Sequence, residues 1–236
     1  LSAQKYHKKI IHVEAGLRSF DRRMAEELTR VLVDHLSDVL FAPTELTSMF
    51  LEREEITLNK HVVGNTVVDA CLKYSEIAER QSNILNKLDI VDKEFILATV
   101  HRAENVDDVQ KLSKLLQALN LLEYPVVLPA HPRIKRRLSE FGYRFPPNIM
   151  AVDPVNYFDL LKLLKHSIFV VTDSGGVQEE AITLKVPCLT VRETTERWET
   201  ISLGSNFLVG SDPLLIGYHA KMIIETNLRE KIEKLP

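Results

Sequence analysis

The sequence predicts an α/β protein whose strands run parallel, and three observations carry the prediction. Short apolar runs rich in β-branched residues alternate with amphipathic helical stretches along the chain, the pattern of parallel sheets covered on both faces by helices. The segments richest in chemistry, around His12-Glu14-Arg18, His101-Arg102 and Asp173-Ser174-Gly175-Gly176, each follow one of those runs, where open α/β sheets bind ligands. The alternation breaks once, after Asn65, and so divides the pattern into two units.

In chain order, Ile10 to Val13 and Val39 to Ala42 read as strands, and Pro43-Thr44 reads as a helix start. This first unit has about three strands, fewer than a doubly wound sheet uses. A helix from about Thr66 to Arg80 leads into the polar stretch Gln81 to Glu94, read as a connection. Phe95 to Val100, Val126 to Ala130, Ile168 to Thr172 and Pro187 to Val191 follow as strands of a fuller second unit. Between them Leu112, Leu115, Leu116 and Leu119 recur at the spacing of one buried helix face, and Asp212-Pro213 opens a late helix. The expected division is 1–66, the remainder of an N-terminal Rossmann-like domain; 67–94, a connection; and 95–236, a C-terminal Rossmann-like domain.

Composition narrows the functional classes. The formal charge is −3 and the basic residues are scattered among acidic ones, so no broad electropositive face for nucleic acid is expected. No apolar run reaches the roughly 20 residues that span a bilayer, so no membrane partner is expected. Cys71 and Cys188 stand far apart without metal-ligand spacing. They fit a reducing compartment and read as buried small residues.

The strongest local signal runs from Thr172 to Ala181, Thr-Asp-Ser-Gly-Gly-Val-Gln-Glu-Glu-Ala, directly after a strand. Adjacent glycines let a backbone approach a ligand closely, and the first N–H groups of a helix point outward at an anion. The alternative is a plain strand-to-helix turn with Ser174 as cap, in which Glu179 and Glu180 favour the helix dipole. A carboxylate one turn beyond the glycines also suits ribose hydroxyls. No Gly-x-Gly-x-x-Gly fingerprint is present, which disfavours nicotinamide chemistry. Glu14 and Arg18 after the first strand, with Glu26 at the next helix start, either face a ligand or serve as a salt bridge and a helix-end charge. His101 and Arg102 supply a proton-transfer group and a fixed cation, unless the histidine is structural. His131 after the next strand makes a weaker case.

Taken together, these segments resemble the non-hydrolysing UDP-N-acetylglucosamine 2-epimerases. The resemblance rests on His12-Val-Glu-Ala-Gly-Leu-Arg18, Glu26-Glu-Leu-Thr-Arg30, Gly64-Asn-Thr-Val-Val-Asp-Ala70, His101-Arg102, the Asp173-Ser-Gly-Gly segment and Thr195-Glu-Arg197, in that order. It implies two Rossmann-like units of GT-B type, with UDP held mainly by the second. By motif match Ser174, Gly175 and Gly176 hold the diphosphate and Glu180 the uridine ribose. Pro154 to Leu160, including Tyr157 and Leu160, lies by the uracil. Arg18, Arg102 and Arg197 bind substrate, and Glu14, Glu26 and His101 are catalytic. The implied reaction is reversible C2 epimerisation of UDP-GlcNAc to UDP-ManNAc, through elimination and re-addition of UDP, without cofactor or metal. A cytoplasmic homodimer supplying cell-surface polysaccharide synthesis is implied as well.

The departures shape the expectation. The family's opening loop, with its glycine and arginine, and an acidic catalytic residue from a later strand of the same part have no counterpart. The usual prolines are replaced by Ala25 and Trp198, and no Gly-Asp-Gly segment occurs before Pro236. The expected first unit is therefore incomplete, truncation being expected at both ends. A catalytically incomplete UDP-sugar binding fragment, and a GT-B glycosyltransferase that requires an acceptor, stand beside the epimerase as alternatives.

Overall fold

The computed structural model describes residues 2–234; Leu1, Leu235 and Pro236 lie outside them. The chain forms two compact units, Leu1–Asp69 with Thr194–Arg197, and Ala70–Glu193 with Trp198–Pro236.

The first unit contains α1 (Ser2–Lys5), β1 (Ile11–Val13), α2 (Ala25–Leu36), β2 (Val39–Ala42), α3 (Glu45–Arg53), β3 (Lys60–Val62) and the start of α4 (Thr66–Gln81). Its three strands are parallel in the order β1-β2-β3, with Ile11 opposite Val39 and Leu40 opposite Lys60. The predicted helix start at Pro43-Thr44 is a capping box: Thr44 caps α3 and exchanges hydrogen bonds with Thr47. The apolar core is small, built from Ala15, Leu40, Ala42 and Leu51 with Ile56 against it. A polar cluster around Arg18 supplements it.

The second unit contains the rest of α4, then α5 (Ile84–Leu88), β4 (Ile96–Thr99), α6 (Ala103–Val106), α7 (Val109–Asn120), β5 (Val126–Pro129), α8 (Pro132–Glu140) and β6 (Ile149–Val152). It continues with α9 (Tyr157–His166), β7 (Val170–Thr172), α10 (Gly175–Thr183), β8 (Cys188–Thr190), α11 (Trp198–Ser202), β9 (Asn206–Leu208), α12 (Pro213–Glu225) and α13 (Leu228–Glu233). Its six parallel strands lie in the order β6-β5-β4-β7-β8-β9. Counted from β4 as the first, this is the doubly wound order of dinucleotide folds, and the winding reverses between β4 and β7.

The two-residue period of the strands divides the core between the two faces of this sheet. Ile96, Ala98, Val126, Leu128, Phe169 and Val171 pack with Leu112, Leu115, Leu116 and Leu119 of α7. Phe95, Leu97, Val127 and Val170 pack on the other side with Leu163, Leu164, Val177 and Ala181. Each fully buried leucine contributes roughly 1.5–3 kcal/mol by leaving water. Ile84 of α5 is buried in the second cluster, with Leu85, Leu88 and Ile90 against it, so apolar positions inside the polar stretch Gln81 to Glu94 carry packing. Asp212 caps α12, with Pro213 in its first turn. Both cysteines are free and buried, and burial pushes each thiol up to about 12.

Candidate functional site

The switch point of the second sheet positions two of the predicted segments together. The chain leaves β4 at Thr99 and β7 at Thr172, neighbouring strands whose end residues share a hydroxyl hydrogen bond at 2.7 Å. Beyond them Asp173, with no exposed surface, collects donors from the other loop. Its carboxylate accepts the backbone N–H of His101 at 3.1 Å and of Arg102 at 2.9 Å, and the Asn105 amide at 3.0 Å. His101 Nδ1 lies 3.0 Å from Asp173 Oδ1, while the imidazole is half exposed. The hydrogen bond to Asp173 raises the His101 pKa above its ordinary value, against the opposing effect of burial. Burial alone would raise Asp173; His101, Arg102 and Asn105 outweigh it and hold this carboxyl below its ordinary value.

Ser174 follows at once as the cap of α10, its hydroxyl accepting the Val177 N–H at 3.5 Å. Gly175 and Gly176 are the first helical residues, so their N–H groups have no intrahelical acceptor. Among the described residues they have no other acceptor either. A Cβ added at Gly176 would meet nothing closer than the Ser174 hydroxyl at 4.0 Å, and its φ is not positive. Neither packing nor backbone geometry demands glycine there. The contrast is Gly16, with φ +81°, where a Cβ would meet the Thr47 carbonyl oxygen at 2.3 Å. That glycine serves the fold.

One turn into α10, Glu180 is 8% exposed and interacts with the Tyr157 hydroxyl. Burial raises Glu180 above its ordinary value, against the lowering effect of the Tyr157 hydroxyl. Burial and the neighbouring Glu180 raise the Tyr157 phenol as well. Tyr157 opens α9 and meets Tyr74 edge-on at 6.2 Å, and Leu160 packs against the cluster that holds Val177.

Glu14, Arg18, Glu26 and Arg197 belong to the first unit. Glu14 stands just past β1 with a left-handed φ of 65°, a strained conformation for a non-glycine residue. Its carboxylate lies 3.4 Å from the Arg197 guanidinium. Arg18 is 1% exposed and donates inward, to Asp34 at 2.7 Å, to both oxygens of Glu54 at 2.7 Å and to the Leu17 carbonyl. Asp34 also binds His12 at 2.5 Å and the Gly16 N–H at 3.1 Å, so this cluster fixes the loop that carries Glu14. Glu26 and Glu27 differ sharply. Glu27 is buried and accepts the N–H groups of Ser19 and Phe20, while Glu26 is exposed and has no bonded partner among the described residues. His131, the weaker candidate, caps α8 through Nδ1.

Sequence reasoning assigned no role to Asp173 or Asn105. The available signal was an aspartate at the first position beyond a strand, but its partner lies 72 positions away and only the sheet order joins them.

Comparison with known proteins accords with this geometry. The model of the UDP-N-acetylglucosamine 2-epimerase family matches residues 1–235. A UDP-N-acetylglucosamine 2-epimerase of Methanocaldococcus jannaschii is 46% identical over 224 residues, covering 90% of this chain and 61% of the relative. A UDP-2,3-diacetamido-2,3-dideoxy-D-glucuronate 2-epimerase of Pseudomonas aeruginosa is 42% identical over 217 residues, covering 89% of this chain and 59% of that one. The crystal structure of the M. jannaschii UDP-GlcNAc 2-epimerase in complex with UDP-GlcNAc and UDP superposes with a TM-score of 0.87 at 42% identity, covering 94% of this chain and 64% of that one. The chain thus spans about three fifths of the length of the curated relatives it matches. Its parallel-sheet units are those of GT-B-type epimerases. With its family model matched from residue 1 to 235, the chain belongs to the UDP-N-acetylglucosamine 2-epimerase family.

Proposed function

We propose that the chain catalyses reversible C2 epimerisation of UDP-GlcNAc to UDP-ManNAc. The observation that carries the reading is the capped turn Ser174-Gly175-Gly176 at the sheet's switch point, where the N–H groups of Gly175 and Gly176 have no protein acceptor among the described residues and suit an anion. In this reading the turn holds the UDP diphosphate, Glu180 takes the ribose hydroxyls, and Tyr157 and Leu160 lie along the uridine. His101 and Arg102 face the diphosphate as cations, and Arg197 contributes a further substrate contact. Arg18, donating inward to Asp34 and Glu54, supports Glu14 from behind.

The chemistry is elimination followed by re-addition. A carboxylate, Glu14 or Glu26, removes the C2 proton; the C2–H electrons form the C1=C2 bond, and the C1–O bond breaks toward UDP. Backbone donors and cations stabilise the departing charge. Re-addition of UDP at C1, with a proton delivered to the opposite face of C2, completes the inversion. We assign 1–66 and 95–236 to two Rossmann-like domains with 67–94 as the connection, in a cytoplasmic homodimer that supplies cell-surface polysaccharide synthesis.

Proton NMR of UDP-GlcNAc with the chain in deuterium oxide tests the reading. Deuterium at C2 together with UDP-ManNAc is expected. Binding of UDP without exchange favours the incomplete binding fragment, and turnover only with an added acceptor favours a glycosyltransferase. The P. aeruginosa relative makes UDP-2,3-diacetamido-2,3-dideoxy-D-glucuronate a second substrate for the same assay.

A further inference from the structure

We propose that Asp173 is the positioning residue for His101, holding Nδ1 as a hydrogen-bond donor so that an imidazolium presents Nε2–H to the anion bound beside it at the Ser174–Gly176 turn. The inference rests on the epimerase reading for the identity of that anion, a nucleoside diphosphate, and on geometry for the rest.

Three features of the second unit carry it. Asp173 is wholly buried, and its carboxylate engages the His101 ring, the backbone N–H groups of His101 and Arg102, and Asn105. An ionised carboxylate only accepts, so the ring nitrogen it faces must carry the proton, and that bond sets the role of the other nitrogen. Asp173 is also the residue directly before the Ser174 cap, so one side chain fixes the distance between the imidazole and the anion turn. Asn105 bonds both Asp173 and the Val191 carbonyl, which ties the arrangement to the end of β8. The raised pKa of His101 accords with a cation near neutral pH. His101 then serves as a donor to the leaving diphosphate, and the C2 proton falls to the carboxylates.

The test is nitrogen-15 NMR of His101 in the full chain, assigned with H101Q, in the parent and in D173N. In the parent, titration above the free value of about 6.5 is expected, and the neutral ring should be the Nδ1–H tautomer. D173N should move the titration down by about 1 pH unit or more. The alkaline limb of the kcat profile with UDP-GlcNAc should follow by the same interval. An Nε2–H tautomer in the parent would overturn the assignment without recourse to any variant, and so would an unmoved titration in a folded D173N. If the titration moves and the kcat limb does not, the catalytic part of the inference is wrong. Absence of turnover in the parent counts against the epimerase reading alone, since tautomer and titration are read without substrate.

Discussion

Tyr157 and Glu180 interact, and the pull of the Tyr157 hydroxyl on the Glu180 pKa does not offset what burial costs that carboxylate. The folded chain therefore binds the Glu180 proton more tightly than the unfolded chain does. Between the free value of about 4.3 and the raised folded value, stability falls as pH rises, and above both the whole penalty applies. Glu180→Gln should melt higher than the parent at neutral pH, with the difference shrinking toward pH 4. The same change should weaken UDP binding about tenfold or more, as loss of hydrogen bonds to a charged group does. Thermal melts across pH and titration calorimetry with UDP check the two halves.

Gly176→Ala separates ligand from fold. The space at its Cβ is open and the backbone is helical, so stability should hold or rise by up to about 1 kcal/mol. UDP affinity should drop about tenfold as the methyl group enters the path of the diphosphate. Equal affinity in calorimetry would move the diphosphate elsewhere.

Much of the fold is legible in the sequence. The runs read as strands recur as β1, β2, β4, β5, β7 and β8, and Thr44, Ser174 and Asp212 cap the helices they open. The strands left unnamed, β3, β6 and β9, all lie at sheet edges. Two of these edges interrupt the apolar run, β3 with Lys60-His61 and β9 with Asn206, which is buried and bonded to Thr190, Gln178 and Thr200, whereas β6, Ile149-Met150-Ala151-Val152, is apolar throughout. Within the candidate site, motif position located Ser174 and His101. It could not distinguish outward from inward guanidinium groups, and Arg18, buried against Asp34 and Glu54, shows why. Side-chain direction depends on partners supplied by other elements.

The adjacent glutamates of α2 should respond in opposite ways. Glu27→Gln disturbs a buried acceptor of two backbone N–H groups and the Ser19 hydroxyl, and should cost roughly 1–3 kcal/mol in denaturant melts. Glu26→Gln, on an exposed side chain, should leave the melt unchanged and lower turnover roughly 10²-fold. Reversal of the two patterns would exchange their roles.

Asp34→Ala leaves the buried Arg18 guanidinium short of a carboxylate and frees His12 and the Gly16 N–H. Removal of one partner from a buried pair costs about 3–5 kcal/mol. The loss should appear as a lower midpoint in urea unfolding, and as faster proteolysis between Glu14 and Arg18.

The segment Thr194–Arg197 has a consequence for biosynthesis. It belongs to the first unit, where Glu196 pairs with Arg30 at 3.4 Å and Arg197 with Glu14 across 183 positions of sequence. At roughly 5–20 residues per second on a ribosome, that separation is an interval of roughly 10–40 s. Throughout it Glu14 and Arg30 wait for their late partners while β4 through β8 are being made. Residues of the first unit are thus among the last to reach their final charge environment, and a nascent chain halted before Thr194 would carry the Glu14 loop without its arginine.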